Sequence, residues 1–395
     1  MSSETTNRDQ ANRENGSLMD AFKKIDIKTI TMVIILAILW VGFHILTGGS
    51  FITNRNLSNL TRQMAVVGIM GITMVLVIVS GGIDLSAGSV MGFVGCCAAV
   101  LQVKAGMSTG VVIALCLALG AIIGLLEGSL VAYAGMAPFI VTLGGQLAFK
   151  GGILAVTGGK TIAPMKESFL FWGGSYCPPL VGWIVVIAAV AVKLFLAIRR
   201  RGQQEKYGTD KEPMSHVILK WIGFSVVLAV ATMVLNSYRG IPVPVMLMLA
   251  LTVIFTFIAD RTTFGRSIYA IGGNVAAARF AGINVKKNLT IVYMLNGFMC
   301  AIAGMVFTAR LNAGTSQAGL NYELDAIAAS VIGGTSMTGG VGRVAGALLG
   351  AIIMASIDNG MSMMNLDSFW QYIVKGVILV LAVWFDTQTQ KRGNK

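Results

Sequence analysis

The sequence is short of charge. Only 12% of its 395 residues are Asp, Glu, Lys or Arg, against the roughly 25% typical of a water-soluble domain, and this excludes a soluble globular protein. Histidine is scarcer still. His44 and His216 stand alone, which argues against a histidine metal site. The five cysteines, Cys96, Cys97, Cys116, Cys177 and Cys300, lack metal-ligand spacing, and all but Cys177 lie within apolar segments; they read as packing residues rather than a disulfide framework. Also missing is the period-two alternation of a transmembrane β-barrel. Acidic residues are the rarer sign, 17 against 30 Lys and Arg, giving a net charge of +13. The basic residues do not form the single stripe that would suit nucleic acid. They sit beside the ends of apolar segments, as positive-inside topology and anionic headgroups favour.

What fills the sequence instead is apolar: 55% of residues are hydrophobic. Apolar stretches fall near 29–47, 63–80, 86–103, 110–134, 139–157, 180–199, 217–236, 241–259, 289–310, 323–334, 341–358 and 369–386. Most have the roughly 17 to 25 residues needed to cross about 30 Å of hydrocarbon as a helix. A spanning segment must satisfy its own backbone hydrogen bonds, so the expected fold class is all-α: a polytopic helical membrane protein with about ten transmembrane helices. The segment 323–334 is too short to span and reads as re-entrant or as half of a broken helix.

Basic loops orient the chain. Lys23, Lys24 and Lys28, the linker 199–216 with Arg199, Arg200 and Arg201, the loop 260–288, and Lys391, Arg392 and Lys395 all predict cytosolic positions. Residues 1–28 read as a disordered cytosolic tail leading into a retained anchor, 29–386 as the membrane domain and 387–395 as a second cytosolic tail. Both termini inside require an even number of crossings. The loop 158–179 then falls outside, with Phe171 and Trp172 suited to the interface.

Glycine, 48 residues, is patterned. Gly120, Gly124 and Gly128 form one ladder at spacing four and Gly342, Gly346 and Gly350 another, which predicts close helix packing in lipid. Two apolar runs end in glycine pairs: Ser80-Gly81-Gly82, followed by Gly88, and Gly333-Gly334, followed by Gly340. Each pair is followed after six residues by the further glycine. Corresponding breaks in two halves of a chain are a common transporter design, so two weakly repeated halves are expected.

Two nucleotide-binding look-alikes fail. "LAVTGGKT" at 154–161 has Leu154 where a phosphate-cradling loop needs its first glycine, and "GVGRVA" at 340–345 has no preceding strand. No hydrolytic triad or metal site is indicated. The carboxylates in or beside apolar runs are Asp84, Glu127, Glu323 and Asp325. An intramembrane carboxylate is either a functional group or a structural one paired with local donors. Asp84 is placed to cap the helix expected from Ser86, Glu127 to sit at an interface near the cytosolic end or to make an interhelical hydrogen bond, and Glu323 and Asp325 to act as caps near the second break. Gln146, Asn296 and Gln371 are polar groups in apolar segments where a polar solute would need contacts.

The informative soluble stretch is Asp260–Lys287. Asn274 is placed to N-cap a short helix over 275–281, with Gly282 at its left-handed C-cap. The helix is either a rigid knob offering Arg279 and Phe280 to a partner or a surface helix on headgroups.

The stretches "GGIDLSAGSVMG" (81–92), "FGRSIYAIGGNVAAARFAGINV" (264–285), "YELDAIAASVIGGTSMTGGVGRVAGALLGA" (322–351) and "FWQYIVKGVILVLAVWFD" (369–386) resemble the membrane permeases of ribose- and xylose-type ATP-binding-cassette sugar importers. The resemblance covers nearly everything after residue 50. "DNGMSMM" at 358–364 and the extra segment 199–236 look most like the xylose and multiple-monosaccharide permeases. The resemblance implies a multi-pass protein of the bacterial inner membrane that is no enzyme itself, works as a dimer, and carries a pentose such as xylose, or a hexose. It implies an extracytoplasmic binding protein and a cytosolic ATPase as partners, with ATP and Mg bound by that ATPase and no cofactor in this chain. The ATPase-coupling residues would be Gly265, Arg266, Asn274, Ala278, Arg279 and Gly282. The competing reading is an ion-coupled secondary transporter using Asp84; a membrane scaffold is disfavoured by the broken, glycine-rich helices.

Overall fold

The computed structural model describes residues 27–206 and 214–393. The N-terminal tail expected over 1–28 lies almost wholly outside the described residues, as do the middle of the 199–216 linker and Lys395. Among the described residues, fifteen helices follow in chain order. They are α1 (Ile27–Leu46), α2 (Asn54–Val79), α3 (Ala87–Ala99, continued by a π-turn over Val100–Lys104), α4 (Thr109–Ala132) and α5 (Pro138–Thr157). Next come α6 (Glu167–Gly174), α7 (Pro179–Lys206), α8 (Met214–Asn236), α9 (Val243–Arg261), α10 (Thr263–Gly273) and α11 (Val275–Phe280). The last are α12 (Val285–Leu311), α13 (Tyr322–Ile332), α14 (Val344–Met363) and α15 (Ser368–Gly393). Of the described helices, nine are long and apolar enough to span a bilayer, with two shorter apolar helices at Thr31–Leu46 and Trp221–Asn236. The polytopic all-α expectation therefore holds.

The chain divides into two compact units. In one, formed by the residues up to Ile38 and by Pro178–Gly240, α7 and α8 pair: the Trp221 indole donates to the Val190 carbonyl (3.2 Å), and the Lys193 ammonium lies 3.6 Å above the Phe224 ring. The face of an aromatic ring is one of the few places an ammonium can rest within an apolar helix pair.

The larger unit has α2 and α12 at its centre. Gly120, Gly124 and Gly128 of α4 lie against the α12 backbone at Gly297, Tyr293 and Thr290, so close that a methyl at Gly124 would strike the Tyr293 carbonyl. In the second ladder Gly346 and Gly350 of α14 lie against Gly333, just past the end of α13, and Ala329 within it. In lipid, where apolar burial drives nothing, backbone approach of this kind supplies the dispersion that holds helices together. The Trp40 indole donates to Ser356 (2.9 Å) and Asn56 to Asn359 (2.8 Å), tying α1 and α2 to α14.

The short segment behaves as expected. With eleven residues, α13 is about 16 Å long, half of the hydrocarbon thickness, and it stops at Gly333-Gly334. Both breaks are built alike. At the first, Gly82 N donates to Val77 O and Gly81 N to Ile78 O, with Gly81 at φ +85°. At the second, Thr335 N donates to Ser330 O and Gly334 N to Val331 O, with Gly334 at φ +93°. This is the paired hydrogen-bond closure of a helix whose next residue turns left-handed. The geometry shifts the repeat by one residue: Gly81, not Gly82, is the counterpart of Gly334.

Helix α6, inside the loop 158–179, was not foreseen, because eight residues with two C-terminal glycines carry too little periodicity. Its Phe169 is fully buried and Gly173 lies against the backbone of Arg310 in α12. Phe171 and Trp172, edge to face at 5.6 Å, remain partly exposed.

Candidate functional site

The first break delivers Asp84 into a buried polar network. Asp84 Oδ1 accepts from the Ser86 amide (2.8 Å) and from the Ser86 hydroxyl (2.6 Å), at the point where α3 begins. Both contacts fall on Ser86, the residue that precedes α3. Its other oxygen, Oδ2, accepts from Asn296 Nδ2 in α12 (2.7 Å), and Asn296 Oδ1 accepts from the Thr73 hydroxyl in α2 (2.8 Å). Asn296 is fully buried, so it fastens the break to α2 and α12 and offers no surface to a solute path.

Glu127 of α4 joins the same network, Oε2 lying 2.9 Å from the Ser86 hydroxyl. This is the interhelical hydrogen bond expected of it. Ser86 has one hydroxyl proton to share between two carboxyl groups, so both contacts are hydrogen bonds only when one of the two carboxyl groups is a neutral acid that donates to the Ser86 oxygen. Glu127 Oε1 is buried with no partner, lying against Gly145, where a methyl would collide with it.

Two further carboxylates open α13. Glu323 Oε1 accepts from Gln146 Nε2 of α5 (2.6 Å), and Gly88 of α3 leaves the space its other oxygen occupies. Asp325 Oδ2 accepts from Lys375 of α15 at 2.9 Å, and the same ammonium lies 2.9 Å from Asp358 Oδ2 of α14. Both acids sit in the first turn of α13 and point to neighbouring helices rather than capping the break that follows. Among the three solute-path candidates, Gln146 is thus held by Glu323, Asn296 by Asp84, and Gln371 is half-buried at the start of α15 with a long contact to the Leu366 carbonyl (3.4 Å).

The second constellation is the corner between α9 and α12. Thr262 caps α10 by accepting from Gly265 N (3.1 Å), and Gly265 is buried against the carbonyls of Ile258 and Ala259. Asn274 caps α11 by accepting from Ala277 N (3.0 Å). Gly282, at φ +79°, closes it: Gly282 N donates to Arg279 O and Ile283 N to Ala278 O. The helix ends at Phe280, one residue before the expected limit. Ala278 is buried with Ile271 and Val285, Ile283 and Leu289 packing on them, so it supports the knob from within, whereas Arg266 and Arg279 are exposed and Phe280 is 93% exposed. Helix α10, which precedes this knob, was not foreseen. Its Tyr269 phenol donates to the Gly342 carbonyl (2.8 Å); burial pushes this phenol above the ordinary tyrosine range, Asp260 adds to the shift and Arg343 opposes it.

Residues 56–383 match the family model described as branched-chain amino acid transport system, permease component. The chain belongs to this family. Among its relatives, the xylose transport system permease protein XylH of Haemophilus influenzae is 44% identical over 375 residues, 95% of this chain and all of the relative. XylH of Escherichia coli strain K12 is 45% identical over 372 residues, 94% of each chain. The ribose import permease protein RbsC of the same strain is 35% identical over 341 residues, 86% of this chain and 88% of the relative. No solved structure matches. As a permease component the chain is a transport subunit and not an enzyme, and its nine apolar spans among the described residues make it a multi-pass membrane protein.

The permease's partners for its carboxylates were the part sequence reasoning missed. Lys375, inside the apolar run "YIVKGVIL", carried a usable signal: a cation in a span needs an anion, and Asp325 and Asp358 were the acids of the adjacent segments. Thr73 and Ser86 gave none, since hydroxyls are ordinary in membrane helices.

Proposed function

We propose that the chain is the membrane permease subunit of an ATP-binding-cassette importer for a pentose such as xylose. The observation that carries this reading is the 44% identity to a xylose transport permease across 95% of the chain, against 35% across 86% for a ribose permease. Sugar would come from an extracytoplasmic binding protein, and ATP and Mg would be bound by a separate cytosolic ATPase. Two copies of the permease would pair as a homodimer in the bacterial inner membrane. Both termini would lie in the cytosol, on the same side of the bilayer as the α10–α11 corner. The basic residues flanking that corner, Arg261, Arg266, Lys286 and Lys287, support a cytosolic placement for it. Nothing supports ion coupling through Asp84, both of whose oxygens already accept from protein donors.

The ATPase docks on α11. The support is a helix held rigid at both ends, with Arg279 and Phe280 projecting from it. Such a knob suits a cleft in a partner that drives a rigid-body shift. Arg279→Glu and Gly282→Val, the latter forcing a β-branched residue into left-handed backbone at about 1–2 kcal/mol, abolish ATPase co-purification while the chain still inserts in the membrane. Undiminished co-purification would move the docking site elsewhere.

A further inference from the structure

Three separate pieces of backbone meet at the C-terminal end of α10. Closure of the first break uses the carbonyls of Leu76, Val77 and Ile78, leaving that of Val79 to look outward. It accepts from the Gly340 amide in the loop after the second break (2.9 Å), so the two breaks are joined directly. Gly272 of α10 is seated on this joint: a methyl there would strike both the Val79 carbonyl and the Gly340 amide. Tyr269, three residues earlier and so on the same face of α10, reaches past it to the Gly342 carbonyl (2.8 Å). One face of α10 therefore grips the end of the first broken helix and the loop that follows the second break. At its far side α10 meets α11, separated from it by Asn274 alone and welded to it by the apolar contact of Ile271 with Ala278.

We propose that α10 is the lever that carries motion of the α11 knob to the joined helix breaks, with Tyr269 and Gly272 as its positioning residues. The proposal rests on the reading of α11 as the ATPase docking site and extends it inward. A displacement of α11 moves α10 as one body, and α10 has no compliant side chain at the joint, only backbone against backbone and one phenol. The Val79–Gly340 hydrogen bond then obliges α2 and the loop leading to α14 to shift together. Asp84, five residues beyond Val79, hangs from the same joint and is anchored by Asn296, so the movement enters the buried polar network.

The test uses the whole complex, permease with its cognate ATPase and sugar-loaded binding protein, in proteoliposomes, reading ATPase co-purification, ATP hydrolysis and sugar delivered per ATP. Tyr269→Phe removes one hydrogen bond and is expected to keep ATPase binding and hydrolysis while sugar per ATP falls about fivefold. Gly272→Ala gives the same split, more strongly. An unchanged sugar-to-ATP ratio in Tyr269→Phe overturns the lever, and so does loss of ATPase binding by that variant, which would make the hydroxyl a support of the docking surface. Arg279→Glu is the separate control: if it keeps the ATPase and full uptake, the docking reading fails first and the lever falls with it.

Discussion

Exchanging Asp84 and Asn296 tests whether the buried network holds the first break. The Asp84→Ala variant strands the Ser86 amide and the Asn296 amide, two buried donors at about 1–3 kcal/mol each, so a loss of about 2–6 kcal/mol is expected. Asp84→Asn is far milder. The substituted amide keeps an oxygen toward Ser86, and Asn296 turns its own amide so that its oxygen faces the new NH2 while its NH2 donates to the Thr73 hydroxyl, which accepts as readily as it donates. The expected cost is about 1 kcal/mol. Asn296→Asp is severe, because it sets a second carboxylate where a donor stood 2.7 Å from the first, an uncompensated buried charge costing on the order of 3 kcal/mol. Combining Asp84→Asn with Asn296→Asp restores a donor facing an acceptor, and most of the loss returns. Thermal unfolding of the purified permease in detergent, followed by sugar uptake in vesicles, gives the cycle. A double variant no more stable than Asn296→Asp alone, or an Asp84→Ala variant that melts like the parent, refutes the tether.

Three other outcomes follow from the same contacts. Lys375→Met leaves Asp325 and Asp358 facing each other without a cation, lowering stability by about 3–5 kcal/mol; adding Asp325→Asn recovers part of it in the same melt. Glu127→Gln behaves like the parent in melting and uptake because its amide can either donate to or accept from the Ser86 hydroxyl, whereas Glu127→Asp, too short to reach, loses about 1 kcal/mol. Gly350→Ala, whose methyl would strike the Ala329 carbonyl, separates α13 from α14 and costs about 1–3 kcal/mol, read as a lower unfolding midpoint.

Much of the architecture is legible in the sequence because lipid simplifies the rules. Length and hydropathy locate the spans, glycine spacing announces that α4 packs closely on a neighbour, and Gly81 and Gly334 mark the helix ends that only a left-handed residue closes. The cap at Asn274 and its end at Gly282 are readable from local chemistry alone. What escapes is tertiary. Helix α2 begins at Asn54, nine residues before its apolar run, since "NRNLSNLTR" is polar yet helical and partly buried. Asn296 looks like a solute contact until α2 and the break are seen to close around it. Helix α10 separates its apolar and polar faces strongly, but Gly265, Gly272 and Gly273 within its eleven residues lower its helix propensity. Gly265 and Gly272 are there because the backbones of Ala259, Val79 and Gly340 lie within contact distance, a fact no local window contains.

The most direct measurement of the central claim is uptake of labelled xylose into proteoliposomes holding the permease alone, the permease with its cognate ATPase and binding protein, and that complex with a hydrolysis-deficient ATPase. Accumulation only in the second preparation, dependent on ATP on the side that carries the ATPase and indifferent to a proton or sodium gradient, is the predicted result. Gradient-driven accumulation by the permease alone would contradict it.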